Sequence, residues 1–436
     1  MSIVKTPSGK RAFYYYGNWT CYEARKFPIS SLPIEKISDL VYSFFALVPK
    51  ADGKWAVESV DPWADFDKRY TNEGVRPFDS WNNNGEGMYG SLGQLAKLKA
   101  AGHKFNVHCG LGGWSLSKNY SDAMLTEIGR KSVAESLIAL FKRYPIFSGV
   151  SVDFEYVSNN GINYGLESNV VRKEDAQNVL TFIHTLRAAF KANGMGHYEI
   201  GFCTSADPEK IHLPLKEYGA ALDRLEIMSY DHAAQSWGGT VTAHHTNPLP
   251  SKHSKLSAKR AVEHFLAAGV PSEKIYIGVA FYGRSWGGTD GFGKPAKAGE
   301  KVDSQFPEEP GVLDYRCLPL PGATEYVDKE SGGCFSYDPV KRICNTFDGV
   351  ASVLEKCKMV NQYRLGGCLI WEISGDVRDS NHPRSLVKCL YENLTHVKGI
   401  APVPVPVPSP GQTPIIGPSV KPTVKPTPTV LKPVTA

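Results

Sequence analysis

Residues 147–156 read Phe-Ser-Gly-Val-Ser-Val-Asp-Phe-Glu-Tyr, an alternating apolar run that ends by presenting two carboxylates. Residues two apart in a strand point to the same face, so Asp153 and Glu155 are predicted to project together from the end of one strand. An Asp and a Glu paired at the C-terminal end of a strand suit acid–base chemistry. An edge strand that runs into a solvated acidic turn would give the same ten residues, so the choice depends on the rest of the chain.

Eight apolar or aromatic runs have the length of strands, and helical patterns lie between most of them. Continuous apolar runs are typical of parallel strands covered on both faces. Eight strands alternating with helices predict an α/β protein with a closed (β/α)8 TIM barrel. The alternative is an open doubly wound sheet, but no Gly-x-Gly-x-x-Gly turn follows the first run. The predicted strands are 11–19, 39–48, 104–109, 149–155, 198–203, 224–229, 275–281 and 365–371, and the predicted helices are about 91–101, 130–143, 173–193, 257–268, 348–358 and 383–393.

Changes in composition divide the chain into a polar leader at 1–11, a barrel domain at 12–398 and a tail at 399–436. Residues 50–90 are rich in Gly, Asn and Asp and are predicted to form a loop near the working end of the barrel. A segment at about 286–345, rich in Gly, Pro, Asp and Tyr, is predicted to be a small subdomain inserted between strand 7 and helix 7. The tail holds 11 of the 30 prolines, so we expect a disordered, extended spacer whose partner is unknown.

Composition and charge exclude several classes of partner. The chain of 436 residues has a net charge of +5 and no dense basic run, so neither nucleic acid nor an anionic membrane is indicated. No stretch approaches the roughly 20 apolar residues of a membrane span, and the N-terminus lacks the apolar core of a secretory signal. No ligand spacing predicts a metal, and no cofactor is expected.

The nine cysteines do not settle the redox compartment. Cys109 and Cys203 lie in predicted strands and are expected to be buried free thiols. Six others crowd the last third of the chain, where disulfides are allowed, but an odd total leaves at least one cysteine unpaired.

The chain resembles family 18 glycoside hydrolases in five motifs. These motifs occur in the same order as in that family, and each lies at a predicted strand end. The resemblance covers roughly residues 12–393 and is closest to bacterial type A chitinases that carry an α+β insertion. The Asp-x-x-Asp-x-Asp-x-Glu signature of that family falls on Ser148–Glu155, its Gly-Gly-Trp on Gly112–Trp114, its Met-x-Tyr-Asp on Met228–Asp231, its Tyr-Gly-Arg on Tyr282–Arg284 and its last-strand Trp on Trp371, which Glu372 follows.

The resemblance implies a chitinase that cleaves β-1,4 links between N-acetylglucosamine units with retention. The acetamido oxygen of the sugar is then the nucleophile, and an oxazolinium ring is the intermediate. Glu155 is implied to be the general acid and base, Asp153 to hold the acetamido N–H, Tyr230 to hold the acetamido oxygen and Asp231 to bind and distort the sugar. Trp371 is implied to stack beneath that sugar.

Further substrate-binding positions follow from the same motifs. For Tyr282 and Arg284, substrate contact and structural support both remain open. Met228, Trp114 and Trp371 would more often be core or lid residues if the family were set aside. The full set of implied contacts is Gly113, Trp114, Tyr156, Met228, Tyr282, Arg284, Trp371 and Glu372.

The chain departs from the family pattern at Ser148, Ser151 and Gly110, where the family has Asp, Asp and Ser. In the family the second aspartate lies behind the third and shares a proton with it. Ser151 is therefore expected to remove one buried negative charge, so that the pKa of Glu155 rises less and the pH optimum moves toward acid. The resemblance also implies non-proline cis peptides at Ser43-Phe44, Glu155-Tyr156 and Trp371-Glu372.

Two other functions compete with an active chitinase. Relatives that lose the acid become chitin-binding lectins; retention of Glu155 argues against that outcome, and the serines at 148 and 151 argue mildly for it. The barrel could also serve as a scaffold in a larger assembly docked through its tail. We expect chitin or chito-oligosaccharides as the partner and a monomer as the working form. An extracellular location follows from the substrate class, and an intracellular one is the alternative.

Overall fold

The computed structural model describes residues 3–80, 88–157 and 169–397, apart from 299, 301, 303 and 306–308. These residues belong to one compact unit, Met1–Val403. The predicted spacer at 399–436 lies outside the described residues.

The described residues contain fourteen strands and eight α-helices. The strands are β1 Arg11–Gly17, β2 Asp39–Pro49, β3 Trp55–Ser59, β4 Asn106–Gly112, β5 Phe147–Asp153, β6 Glu199–Ser205, β7 Arg224–Met228, β8 Ile275–Ala280, β9 Tyr282–Trp286, β10 Val312–Asp314, β11 Thr324–Val327, β12 Cys334–Asp338, β13 Ile343–Phe347 and β14 Gly367–Trp371. The helices are α1 Gly90–Ala100, α2 Tyr120–Leu125, α3 Glu127–Arg143, α4 Asp175–Ala192, α5 Leu215–Ala221, α6 Ala258–Ala267, α7 Val350–Gln362 and α8 Leu386–Leu390.

Eight parallel strands close into a barrel, which confirms the predicted fold class. The order is β1-β14-β8-β7-β6-β5-β4-β2, and pairing of β2 with β1 completes the ring. All seven residues of both β4 and β5 are buried, as expected for strands between a filled interior and an outer layer of helices. Every C-terminal strand end therefore opens onto the same face of the barrel.

Besides the strands of the second sheet described below, three short elements were missing from the sequence-based prediction. β3 lies inside the polar segment that was predicted as loop, and it pairs antiparallel with β2. Helices α2 and α5 have only six and seven residues, too few to show a clear helical period. The remaining predicted strands and helices lie within a few residues of the observed ones.

A second sheet occupies the position of the predicted insertion. Its five antiparallel strands have the order β10-β9-β13-β12-β11. β9 starts at Tyr282, directly after β8, so the Tyr-Gly-Arg motif begins the strand that leads from the barrel into this sheet. The Arg25 guanidinium links the second sheet to the barrel. It contacts Asp314 of β10 at 2.9 Å and Glu372, which follows β14, at 2.8 Å.

All nine cysteines lie in the described part of the chain and are free thiols. No helix among the described residues is long and apolar enough to cross a membrane. Within the same residues, no three His, Cys, Asp or Glu side chains come together as a metal site.

A buried ion pair joins α7 to the barrel. The Lys356 ammonium lies 2.6 Å from Asp348, and both side chains are fully buried. It also donates to Thr246 Oγ1 at 2.7 Å and to the carbonyl of Gly278 in β8 at 2.8 Å. Protein oxygens therefore satisfy this buried ammonium.

We expect Lys356→Met to lower the free energy of unfolding by about 3–5 kcal/mol, because it leaves the Asp348 carboxylate buried without its cation. Urea unfolding followed by tryptophan fluorescence measures the loss. Lys358→Met is the matched control in the same helix, since Lys358 is 70% exposed and its pair with Glu355 is worth about 1 kcal/mol at most. Equal losses in the two variants would contradict the assignment.

Candidate functional site

The C-terminal strand ends bring four of the five sequence motifs to one mouth of the barrel. β4 ends before Gly113, β5 ends at Asp153, β7 ends at Met228 and β14 ends at Trp371. The fifth motif begins at Tyr282, after the end of β8. The three predicted non-proline cis peptides are present at Ser43-Phe44, Glu155-Tyr156 and Trp371-Glu372.

Asp153 and Glu155 form the centre of this mouth. Asp153 is 4% exposed, and its Oδ1 has no hydrogen-bond partner among the described residues. The Glu155 backbone is held on both sides: its N–H donates to Ser117 Oγ at 3.0 Å, and its carbonyl accepts from Asn169 Nδ2 at 2.7 Å. A fixed backbone and an unsatisfied buried carboxyl oxygen are what a site prepared for a polar ligand requires.

The surroundings favour the protonated form of both carboxyls. Burial raises the pKa of Glu155 to about 7; a hydrogen bond with Tyr156 opposes this rise, and the charge of Asp231 adds to it. Burial raises the pKa of Asp153 well above its usual range, and the charges of Glu155 and Glu226 add to that rise. The pair therefore keeps a proton at pH values where an ordinary carboxyl has lost it.

Two glycines let the chain pass close to Asp153. Gly112 and Gly113 have φ values of 99° and 91°, which residues other than glycine rarely adopt. A Cβ on Gly112 would lie 2.3 Å from the Asp153 carbonyl oxygen, and one on Gly113 would lie 2.8 Å from the Phe44 ring. The Gly113 N–H donates to the same Asp153 carbonyl at 2.8 Å. Trp114 is consequently presented at the rim, 41% exposed.

Gly110 of β4 lies against Ser43 of the neighbouring strand β2. A Cβ at this position would lie 2.6 Å from Ser43 Oγ, so a serine here would require the Ser43 side chain to move.

The motif after β7 supplies a phenol and a carboxylate. Met228 is 9% exposed, and the Tyr230 ring packs edge to face on Tyr282 with centroids 6.1 Å apart. Burial raises the pKa of the Tyr230 phenol well above its usual range, and neighbouring groups that include Asp153 and Glu155 add to the rise. Tyr230 therefore stays a hydroxyl donor beside the two carboxyls.

Asp231 differs from Asp153 because a cation faces it. Its Oδ1 accepts from Arg284 Nε at 2.6 Å and from the Tyr282 hydroxyl at 2.7 Å. Burial alone would raise the pKa of Asp231, but Arg284 and the nearby His245 bring it well below its usual range. Tyr282 and Arg284 thus support Asp231, and Arg284 also lies 4.2 Å over the exposed Trp237 ring.

Aromatic rings form the floor of the mouth. The Trp371 ring stacks on Phe44 with centroids 5.7 Å apart and lies 6.1 Å from Trp19 and 5.8 Å from Tyr15. Tyr156 packs edge to face with Trp114 at 6.5 Å. Flat apolar surfaces of this kind suit the apolar faces of sugar rings.

Glu372 has little acceptor capacity left for a ligand. Its Oε1 accepts from Arg25 at 2.8 Å, and its Oε2 accepts from the Ser374 N–H at 3.0 Å. This carboxylate is 4% exposed and joins the last strand to the second sheet.

Sequence reasoning missed Glu226, a fully buried carboxylate in β7. Tyr15 and Ser151 both donate to it, at 2.6 and 2.9 Å. Its spacing in the sequence could have identified it. Glu226 lies two residues before Met228, so the two residues share the inner face of β7. A charged residue on the inner face of a barrel strand has to be paired.

The sequence and structure are similar to known proteins over most of their lengths. The profile of glycosyl hydrolases family 18 matches residues 11–376. Chitinase 1 of Aphanocladium album is 31% identical over 403 residues, which cover 90% of this chain and 87% of that protein. Endochitinase 1 of Metarhizium robertsii is 32% identical over 389 residues, which cover 86% and 85%. The catalytic domain of psychrophilic chitinase B from Arthrobacter TAD20 matches with a TM-score of 0.79 and 26% identity over 93% of this chain and 99% of that one.

The raised pKa of Glu155 makes stability depend on pH in a defined direction. The folded protein binds this proton more tightly than a free carboxyl with a pKa of 4.5. The resulting stabilisation is complete at low pH and is lost as the pH rises through about 7. Glu155→Gln cannot lose a proton, so we expect its unfolding temperature to gain on the wild type between about pH 4.5 and pH 7.

Thermal unfolding of both proteins across this pH range measures the difference. The gain in the free energy of unfolding is at most about 3 kcal/mol. We expect a smaller value, because Glu155 is partly exposed and solvent screens its charge. Glu127→Gln, on the exposed face of α3, is the control and should show no such gain. A difference between Glu155→Gln and wild type that stays constant with pH would rule out the raised pKa.

Proposed function

The chain belongs to the glycosyl hydrolases family 18, and we propose that it is a chitinase that cleaves β-1,4 links between N-acetylglucosamine units with retention. The observation that carries this proposal is the Asp153–Glu155 pair. Both carboxyls favour the protonated form, and they lie beside a phenol and above an aromatic floor.

Glu155 is the proton donor in this proposal. A group with a pKa of about 7 is protonated often enough near neutral pH to act as an acid, and its conjugate base is strong enough to take a proton from water. In the first step the bond between the anomeric carbon and the glycosidic oxygen breaks, and the Glu155 proton goes to that leaving oxygen.

The nucleophile is the acetamido oxygen of the substrate. Asp231 is already held by Arg284 and Tyr282, so it is poorly suited to attack the anomeric carbon. As the acetamido oxygen bonds to that carbon, an oxazolinium ring forms and its positive charge needs a partner. Asp153 Oδ1, which has no protein partner among the described residues, accepts the acetamido N–H, and the negative charge that the Asp153–Glu155 pair gains when Glu155 gives up its proton stabilises the ring.

Tyr230 and Trp371 position the reacting sugar. The Tyr230 hydroxyl donates to the acetamido oxygen and keeps it in line with the anomeric carbon. The Trp371 ring stacks beneath the sugar, and Trp114 offers a second exposed ring at the rim. In the second step water attacks the anomeric carbon from the side of the departed group and gives its proton to Glu155, while the bond between that carbon and the acetamido oxygen breaks and the ring opens. Two inversions at this carbon restore the original configuration.

We also propose that the enzyme acts outside the cell, as a monomer and without a cofactor. The polymeric substrate supports the location. The Pro-rich segment at 399–436 is proposed as a spacer toward a partner of unknown kind.

Glu155→Gln is expected to lower kcat by about a hundredfold or more, because it removes the proton donor while keeping the shape of the side chain. Release of a fluorophore from a chitotriose glycoside measures the rate, and Glu127→Gln should retain wild-type activity. A lectin or scaffold would show no turnover even as wild type, although a lectin would still bind chitin beads. A Glu155→Gln enzyme within tenfold of the wild type would refute the assignment of the acid.

The first product released is expected to be the β-anomer. Proton NMR of chitotetraose or chitopentaose digests, recorded before mutarotation, distinguishes the anomers. An initial α-anomer would mean a single inversion, and the acetamido group would then have no role as nucleophile.

A further inference from the structure

Ser151 stands where the family signature has an aspartate, and a carboxylate from another strand meets it. Ser151 Oγ donates to Glu226 Oε1 at 2.9 Å, although Glu226 belongs to β7 and Ser151 to β5. The intervening strand β6 allows this contact through Gly201, which pairs with Ser151 and with Arg224. A Cβ on Gly201 would lie 2.2 Å from Glu226 Oε1, so the missing side chain is the space that the carboxylate occupies.

The hydrogen bonds around Glu226 fit an ionised carboxylate. Arg224 Nε donates to Oε1 at 2.7 Å, and the Tyr15 hydroxyl donates to Oε2 at 2.6 Å. Arg224 Nη2 in turn donates to Ser151 Oγ at 2.8 Å. The serine hydroxyl therefore accepts from the guanidinium and has its own proton free for Glu226.

Glu226 also reaches toward Asp153. Ser151 and Asp153 are two residues apart on β5 and share its inner face. Cys203 of β6 lies between the two carboxylates: its Sγ is 3.7 Å from Glu226 Oε2, and its thiol hydrogen-bonds with Asp153. The charge of Glu226 is thus close enough to act on the proton of Asp153.

Glu226 belongs to a larger group of paired charges inside the barrel. Arg224 also contacts Glu199 at 3.2 Å, and Arg11 contacts Glu199 at 2.6 Å and Asp39 at 2.5 Å. Two guanidinium groups therefore face three carboxylates, since Glu226 completes the set. Buried His108 adds no positive charge near neutral pH because burial lowers its pKa. The Lys99 ammonium adds a positive charge near Asp39, whereas Glu226 is the carboxylate of this group whose charge raises the pKa of Asp153.

We propose that Glu226 is a positioning residue that replaces the aspartate missing at position 151 and keeps a negative charge behind Asp153. This inference rests on the proposed function, because the charge matters through the proton that Asp153 and Glu155 hold. The expectation of a lost buried charge at Ser151 considered that position alone. The structure supplies a carboxylate at hydrogen-bonding distance from the serine, so the acid shift expected from Ser151 is offset.

The test moves the carboxylate from position 226 back to position 151 and compares the two single variants with the double variant. Glu226→Gln removes the charge and should move the basic limb of the kcat/KM profile toward acid by about half to one pH unit. Ser151→Asp alone sets two carboxylates side by side and should lower both activity and unfolding temperature. The double variant S151D/E226Q returns one carboxylate to the site and should recover most of the wild-type profile.

Glu199→Gln is the matched control, because Glu199 pairs with the same arginine but does not contact Ser151 among the described residues. It should lower the unfolding temperature without moving the basic limb. An unmoved limb in Glu226→Gln, or a double variant no better than the poorer single variant, would overturn the proposal.

A second readout needs no turnover. The gain in stability of Glu155→Gln over its parent starts near pH 4.5 and levels off at the folded-state pKa of Glu155, and it is measured in the wild-type and Glu226→Gln backgrounds. The pH at which the gain levels off should fall by the same amount when Glu226 is replaced. A wild type without chitinase activity but with this shift would refute the proposed function and keep the inference, whereas an unmoved upper limit would refute the inference.

Discussion

The site depends on how much negative charge can be buried at the end of one strand. Asp153 and Glu155 lie on β5 and just beyond it, where burial disfavours both charges and the proximity of the two carboxyls disfavours them further. The molecule could lower this cost by placing a cation beside them, but a cation would also withdraw the proton that an acid catalyst needs. The described residues instead leave Asp153 Oδ1 without a partner and put the cation beside Asp231.

Three carboxyls at one barrel mouth thus differ in protonation because their neighbours differ. Arg284, on the first strand of the second sheet, keeps Asp231 ionised, while Glu155 retains a proton near neutral pH. The second sheet therefore sets the charge state of Asp231 through Arg284. Arg25, which joins Asp314 and Glu372, fixes that sheet against the last barrel strand and so holds Arg284 in register with Asp231.

The barrel and most of the site could be predicted from the chain, because both depend on short-range patterns. Apolar runs define the strands, and parallel strands that close into a barrel must gather their C-terminal ends, where Gly113, Asp153, Tyr230 and Trp371 lie. Glu226 could not be assigned in the same way. Its partner Ser151 lies two strands away, and the contact depends on the space left by Gly201, which only the register of β5, β6 and β7 reveals.

The pair formed by Ser151 and Glu226 shows why a departure from a sequence signature need not change the electrostatics of a site. A Coulombic effect depends on the distance and surroundings of a charge and not on the strand that carries it. Moving the carboxylate from β5 to β7 costs little here, because Arg224 and Tyr15 satisfy it and Ser151 bridges it to the original position. Selection on the proton of Asp153 would act on the sum of these charges, so positions 151, 201 and 226 should vary together.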